Sequence, residues 1–139
     1  MPARSGVSEK KCRQILKLRS EGFCERCTRW GNLTLHHRQK RSQGGLWTAE
    51  NCVLVCGHGT TGCHGWIEHH PAQAKTQGWH VRPWQNPADI PLLWRGSTWV
   101  LLTNDGGIQH VEKPQGAPGS IRDGFSYDCV PAERGERRQ

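Results

Sequence analysis

Five of the seven cysteines and four of the eight histidines lie in the 41 residues from Cys24 to His64. That density constrains the fold more than any other feature. The chain has 139 residues, 34% of them hydrophobic, and a mean hydropathy of −0.76. A core that sparse needs staples. Disulfides are one kind, but the cysteine count is odd, no export signal is visible, and a reducing cytosol keeps thiols free. Metal is the better reading. Cys24 and Cys27, two residues apart, can place both sulfurs on one tetrahedral zinc at about 2.3 Å. Cys56 and Cys63 are the best second pair, although six residues separate them, and Gly57, Gly59 and Gly62 let that loop fold back. Cys52 or His58 could replace one member.

Charge is unevenly placed. Residues 1–49 hold 11 Lys/Arg against 3 Asp/Glu, whereas residues 50–139 hold 8 against 9. A basic first third suits a phosphate backbone, whose counterions Lys and Arg release. No stretch approaches the roughly 20 apolar residues of a membrane span, and the first 20 residues are basic and polar, so the expectation is one small, soluble, cytoplasmic domain.

Along the chain, Ser8 is placed to cap a helix running to about Ser20, with Gly22 to end it. Leu33–His37 and Asn51–Val55 read as short β runs flanking a basic, glycine-containing loop, Arg38 to Gly45. Thr61 or Gly62 starts a short helix limited by Pro71, and a further helix can run from Pro71 to Gln77. Asp105-Gly106 between apolar runs predicts a β-hairpin. The expected organisation is 1–78 as the metal-bearing domain with its basic helix, 79–112 as a Trp-rich hairpin extension, and 113–139 as a disordered tail.

The thiolates frame Leu35-His36-His37-Arg38, Ser42-Gln43-Gly44-Gly45, Glu50-Asn51-Cys52-Val53-Leu54-Val55-Cys56 and Cys63-His64-Gly65-Trp66-Ile67. This ordered set resembles the HNH endonuclease family over about residues 24–70. The resemblance implies an α+β fold: a small, zinc-stapled ββα-metal domain of two strands with a helix packed across them. It makes His36 and His64 ligands of a catalytic divalent ion such as Mg²⁺ or Mn²⁺, His37 the general base, and Asn51 the residue that fixes the loop and orients that base. Glu68, one helical turn after His64, can complete the coordination sphere or orient His64, where many relatives carry His. Cys24, Cys27, Cys56 and Cys63 would hold a purely structural zinc.

The chemistry fits the residue types. A neutral imidazole is a suitable proton acceptor at neutral pH, and a dication stabilises charge on a phosphorane. One geometric demand follows: neighbours on a regular strand face opposite ways, so His36 and His37 reach one cleft only through a strand end or bulge. Arg38, Lys40 and Arg41 are expected to clamp the phosphates of DNA. Trp47 and Trp66 are expected around the metal frame, the four tryptophans from Trp79 to Trp99 in a satellite core, and Cys12 and Cys129 as free thiols.

Within the family, Gly62–Trp66, Gly78-Trp79 and Pro87–Pro91 look like small HNH proteins of actinobacterial tailed phages. That likeness implies a nicking or cutting DNA endonuclease assisting terminase in genome packaging. Two other readings stand beside it. A homing or restriction-type nuclease would need a specificity module, and nothing after residue 80 resembles one. A non-catalytic, nucleic-acid-binding zinc module would show a single metal site, whereas two donor types are present.

Overall fold

The computed structural model describes residues 6–122. It is a small α+β domain built on two antiparallel sheets. Helix α1 spans Glu9–Ser20. The Ser8 hydroxyl accepts from the Lys11 amide at 3.1 Å, and Lys17 and Arg19 complement the dipole in its last turn. Its end comes one residue before the expected glycine, with Glu21 at φ 58° followed by Gly22 at φ 88°. No helix among the described residues is long and apolar enough to cross a membrane.

Strands β1 (Leu33–His37) and β2 (Cys52–Cys56) pair antiparallel, with His36 opposite Val53 and His37 opposite Cys52. All five residues of β2 are buried because the strand is covered on both faces. Cys52 and Leu54 meet Cys12 and Leu16 of α1, while Val53 and Val55 meet the cluster that contains Trp66 and Ile67. Those last two belong to α2 (Gly62–His69), which Pro71 separates from α3 (Pro71–Thr76). Cross-strand partners share a face. The side chain of His36 therefore turns with Val53 towards α2, and that of His37 turns with Cys52 towards α1.

The second sheet has the order β3 (Leu92–Trp94), β4 (Thr98–Leu102), β5 (Ile108–His110). The predicted hairpin is β4–β5: Gly106 takes φ 92°, and Asp105 Oδ1 accepts from the Gly107 amide at 3.0 Å. Strand β3 was not foreseen, since three residues are too few to show a period. The expected boundary at residue 78 does not divide the core. Trp79, Leu92, Leu93, Trp99 and Val100 share one buried cluster with Cys24, Cys63 and Trp66. Of the supposed satellite tryptophans, Trp79 and Trp99 lie in that common core, Trp94 packs against it, and Trp84 is exposed. The tail expectation also needs correction. Ile121 is buried and donates its amide to Gly96 O, and Trp99 Nε1 donates to Pro118 O. The remainder of the predicted tail, with Cys129, lies outside the described residues.

Candidate metal centres

The knuckle at Cys24–Cys27, the end of β2 and the start of α2 bring four buried sulfurs together, every pair within 4.8 Å. The glycines that close the long Cys56–Cys63 loop are Gly57 (φ 80°) and Gly62 (φ 63°). A Cβ on Gly57 would lie 2.1 Å from Thr61 O and one on Gly62 2.7 Å from Cys56 O. Gly59 carries no such constraint. Cys24 Sγ accepts from the amides of Arg26, Cys27 and Cys56 at 3.2–3.4 Å, Cys27 Sγ from that of Arg29, and Cys56 Sγ from that of Cys63. Arg26 Nη1 donates to Cys63 Sγ at 3.1 Å. Burial and neighbouring thiols push the Cys24 thiol well up. Donors aimed at sulfur favour thiolates, and burial opposes them unless a cation is present. This set can hold zinc, with a donor type and number that suit a structural site. Cys52, the alternative ligand, faces α1, packs with Cys12 and donates to Leu46 O at 3.6 Å, and His58 is exposed beside Thr60.

A second donor set lies across the β1–β2 hairpin from α1. His36 Nδ1 is 3.6 Å and His64 Nε2 3.9 Å from Glu68 Oε2. The far nitrogens define the tautomers. His36 Nε2 lies 2.7 Å from Trp79 O, which can only accept, so Nε2 carries the proton. The Thr34 hydroxyl donates to Gly57 O at 2.7 Å and must therefore accept from His64 Nδ1, also at 2.7 Å. Burial lowers the His36 pKa to about 3 and lowers that of His64 as well, against the pull of Glu68. Two imidazole lone pairs and a carboxylate thus converge with no proton among them. Such an arrangement is repulsive unless a cation sits between the donors, and two imidazoles with one carboxylate form a familiar divalent-ion set.

His37 is not brought to that set. β1 stays regular to its last residue, with no bulge, and the His37 ring packs edge-on against Trp47 at 4.5 Å on the α1 side. Its Nε2 is buried without a partner, and burial together with Arg41 and Arg13 holds its pKa below the usual imidazole value. Trp47 accordingly belongs with α1 and His37 rather than with the sulfurs. Trp66 is beside the sulfurs as expected, with the Arg26 guanidinium 3.9 Å over its ring and His70 stacked on it at 4.9 Å. Asn51 fixes the loop: Oδ1 accepts from the Gln39 amide at 2.7 Å, and Nδ2 donates to Gln39 O and Leu46 O at 3.1 Å.

The expected phosphate clamp divides. Lys40 and Arg41 are exposed, but Arg38 is fully buried, its guanidinium donating to the carbonyls of Glu50, Gly78, Pro87 and Ile90. Burial lowers its pKa to about 9. Arg38 cannot reach a strand and instead ties the hairpin to residues 78–90. We expect Arg38→Leu to lower stability in urea by about 2–3 kcal/mol, from carbonyls left unpaired. Lys40→Ala, at an exposed position, should leave that midpoint unchanged.

Sequence reasoning missed His80, whose ring lies 5.6 Å from that of His36, and Glu25 and Arg26, the two residues between the knuckle cysteines. No ligand spacing marks His80. The spacing of the knuckle draws attention to its sulfurs rather than to the charges between them. Family models, curated proteins and solved structures give no match to this chain.

Proposed function

We propose that this protein is a metal-dependent nuclease that hydrolyses phosphodiester bonds in DNA, with zinc at Cys24, Cys27, Cys56 and Cys63 as a staple and a divalent ion such as Mg²⁺ or Mn²⁺ held by His36, His64 and Glu68. The observation that carries this reading is the convergence of two unprotonated imidazole nitrogens on a carboxylate. The chemistry supplied at that position by a bound divalent ion is Lewis-acid stabilisation of charge on the phosphoryl oxygens. Trp79 O and Thr34 orient the two imidazoles. The family resemblance gives the role of proton acceptor for the attacking water to His37, which is held neutral with an unpartnered Nε2 but stands on the opposite face of β1 from the other two histidines' meeting point. Substrate must then cross the end of β1, the one place both faces of the strand share.

The test is conversion of supercoiled plasmid to nicked or linear product with Mg²⁺ or Mn²⁺. Glu68→Ala should abolish cutting, and His37→Ala should slow it about 10²–10⁴-fold with zinc content intact. His80→Ala is the comparison for the base, since His80 lies on the His36 face with its Nε2 satisfied by Ile67 O at 3.0 Å. Loss of activity in His80→Ala with His37→Ala unaffected would move the base to His80. A parent protein that binds DNA and never cuts it would leave the non-catalytic zinc module as the answer.

A further inference from the structure

We infer that the substrate of this site is single-stranded or locally unpaired nucleic acid, with bases stacked on Trp84, beside one pocket, and on Trp30, in the wall of a second, the two pockets reaching the His36–His64–Glu68 set through His80 and Thr34. The inference rests on the phosphodiester reading above and names its substrate class.

Most tryptophans of this chain are buried or packed, yet Trp84 is 76% and Trp30 62% exposed. A small domain short of apolar residues gains by burying an indole, so two left in solvent point to a contact made elsewhere. Their surroundings indicate which contact. Trp84 carries the Arg82 guanidinium 5.5 Å from its ring centroid. Arg82 joins Lys40, Lys75 and His80 around a pocket of about 400 Å³, and His80 abuts His36. Trp30 joins Arg29, Asn32, His58 and Thr34 around a second pocket of about 650 Å³, and Thr34 is bonded to His64. No Asp or Glu lines either pocket.

Cationic surface interleaved with open aromatic faces matches a phosphate backbone whose bases are free to stack. An intact duplex satisfies only half of that chemistry. Its phosphates can meet Lys40, Lys75 and Arg82, but its base faces are covered by their neighbours, and a protruding indole would meet sugar and phosphate. An unpaired strand offers both. Stacking needs no particular base, so the preference is for strand state rather than sequence.

The test uses the zinc-loaded full chain without added Mg²⁺ or Mn²⁺, and a labelled 12-nucleotide DNA presented either single-stranded or as a blunt duplex, read by fluorescence anisotropy. The single strand should bind more tightly. Trp84→Ala and Trp30→Ala should each weaken single-strand binding about tenfold and leave duplex binding unchanged, the size expected for one lost stacked base. Trp84→Phe should restore most of the loss. Lys75→Ala should weaken both forms and reduce the salt dependence by about one counterion, whereas the tryptophan variants should leave that slope alone. Equal affinity of parent and both alanine variants for the single strand, or tighter binding of the duplex by the parent, overturns the inference. Because cutting plays no part in this measurement, a protein that stacks single strands but cleaves nothing would sink the nuclease reading and leave the binding surface standing.

Discussion

Cys24→Ser is expected to yield a chain that neither retains zinc nor unfolds cooperatively. Cys24 Sγ receives three amide donors, lies within 4.8 Å of the other three sulfurs, and belongs to a core shared by both sheets. Structural zinc sites contribute about 10–16 kcal/mol of apparent binding energy, comparable to the whole stability of a small domain at about 5–15 kcal/mol. Removing one thiolate therefore threatens the fold rather than an activity. The measurement is zinc per chain by elemental analysis, alongside a urea transition followed by circular dichroism. Cys52→Ser provides the comparison, because that sulfur sits on the other side of β2 against Cys12 and should leave the metal in place. A Cys24→Ser protein that is zinc-loaded and as stable as its parent would refute the four-sulfur frame.

Glu25→Ala should cost about 3–5 kcal/mol, the usual penalty for breaking a buried ion pair from one side. Glu25 is fully buried between the first two zinc candidates. Its carboxylate takes two hydrogen bonds from Arg19 of α1 at 2.8 and 3.0 Å, one from the Leu54 amide of β2 and one from Trp94 Nε1 of β3. One side chain thus joins the first helix, the hairpin and the second sheet. Its loss strands the Arg19 guanidinium, which also donates to Ala49 O and Cys52 O at 2.7 Å, in a place water does not reach. Urea unfolding at fixed zinc content measures the effect. A double variant in which leucine replaces both Arg19 and Glu25 should recover part of the loss, since no buried charge then remains unpaired. A change below about 1 kcal/mol in Glu25→Ala would show that the pair does not hold these elements together.

Local signals in the chain were strong where chemistry and spacing act over a few residues. Ser8 before an amphipathic run, Pro71 after His70 and Asp105-Gly106 between apolar runs each define a boundary by backbone sterics or a short-range hydrogen bond, and each falls where expected. Parts of the two donor sets were legible in the same way, whereas His36 entered only through the family resemblance. Thiols two residues apart can share one ion, and His64 and Glu68 share a helix face, whatever surrounds them.

What the chain alone determined is therefore the inventory: which donors exist, which neighbours can act together, and where elements start and stop. Enclosure and facing were decided only by the tertiary structure. Arg38 reads as a strand-gripping cation until residues 78–90 fold over it and claim its donors with carbonyls. His36 and His37 read as a pair until β1 continues without a bulge and the pleat turns one ring to α2 and the other to α1. His80 has no local motif and gains its place beside His36 from a loop that returns to the hairpin, through Val81 N bonded to Arg38 O. The physical reason is common to all three: a side chain's chemistry is its own, but its solvent, its partners and its direction come from distant segments that pack against it.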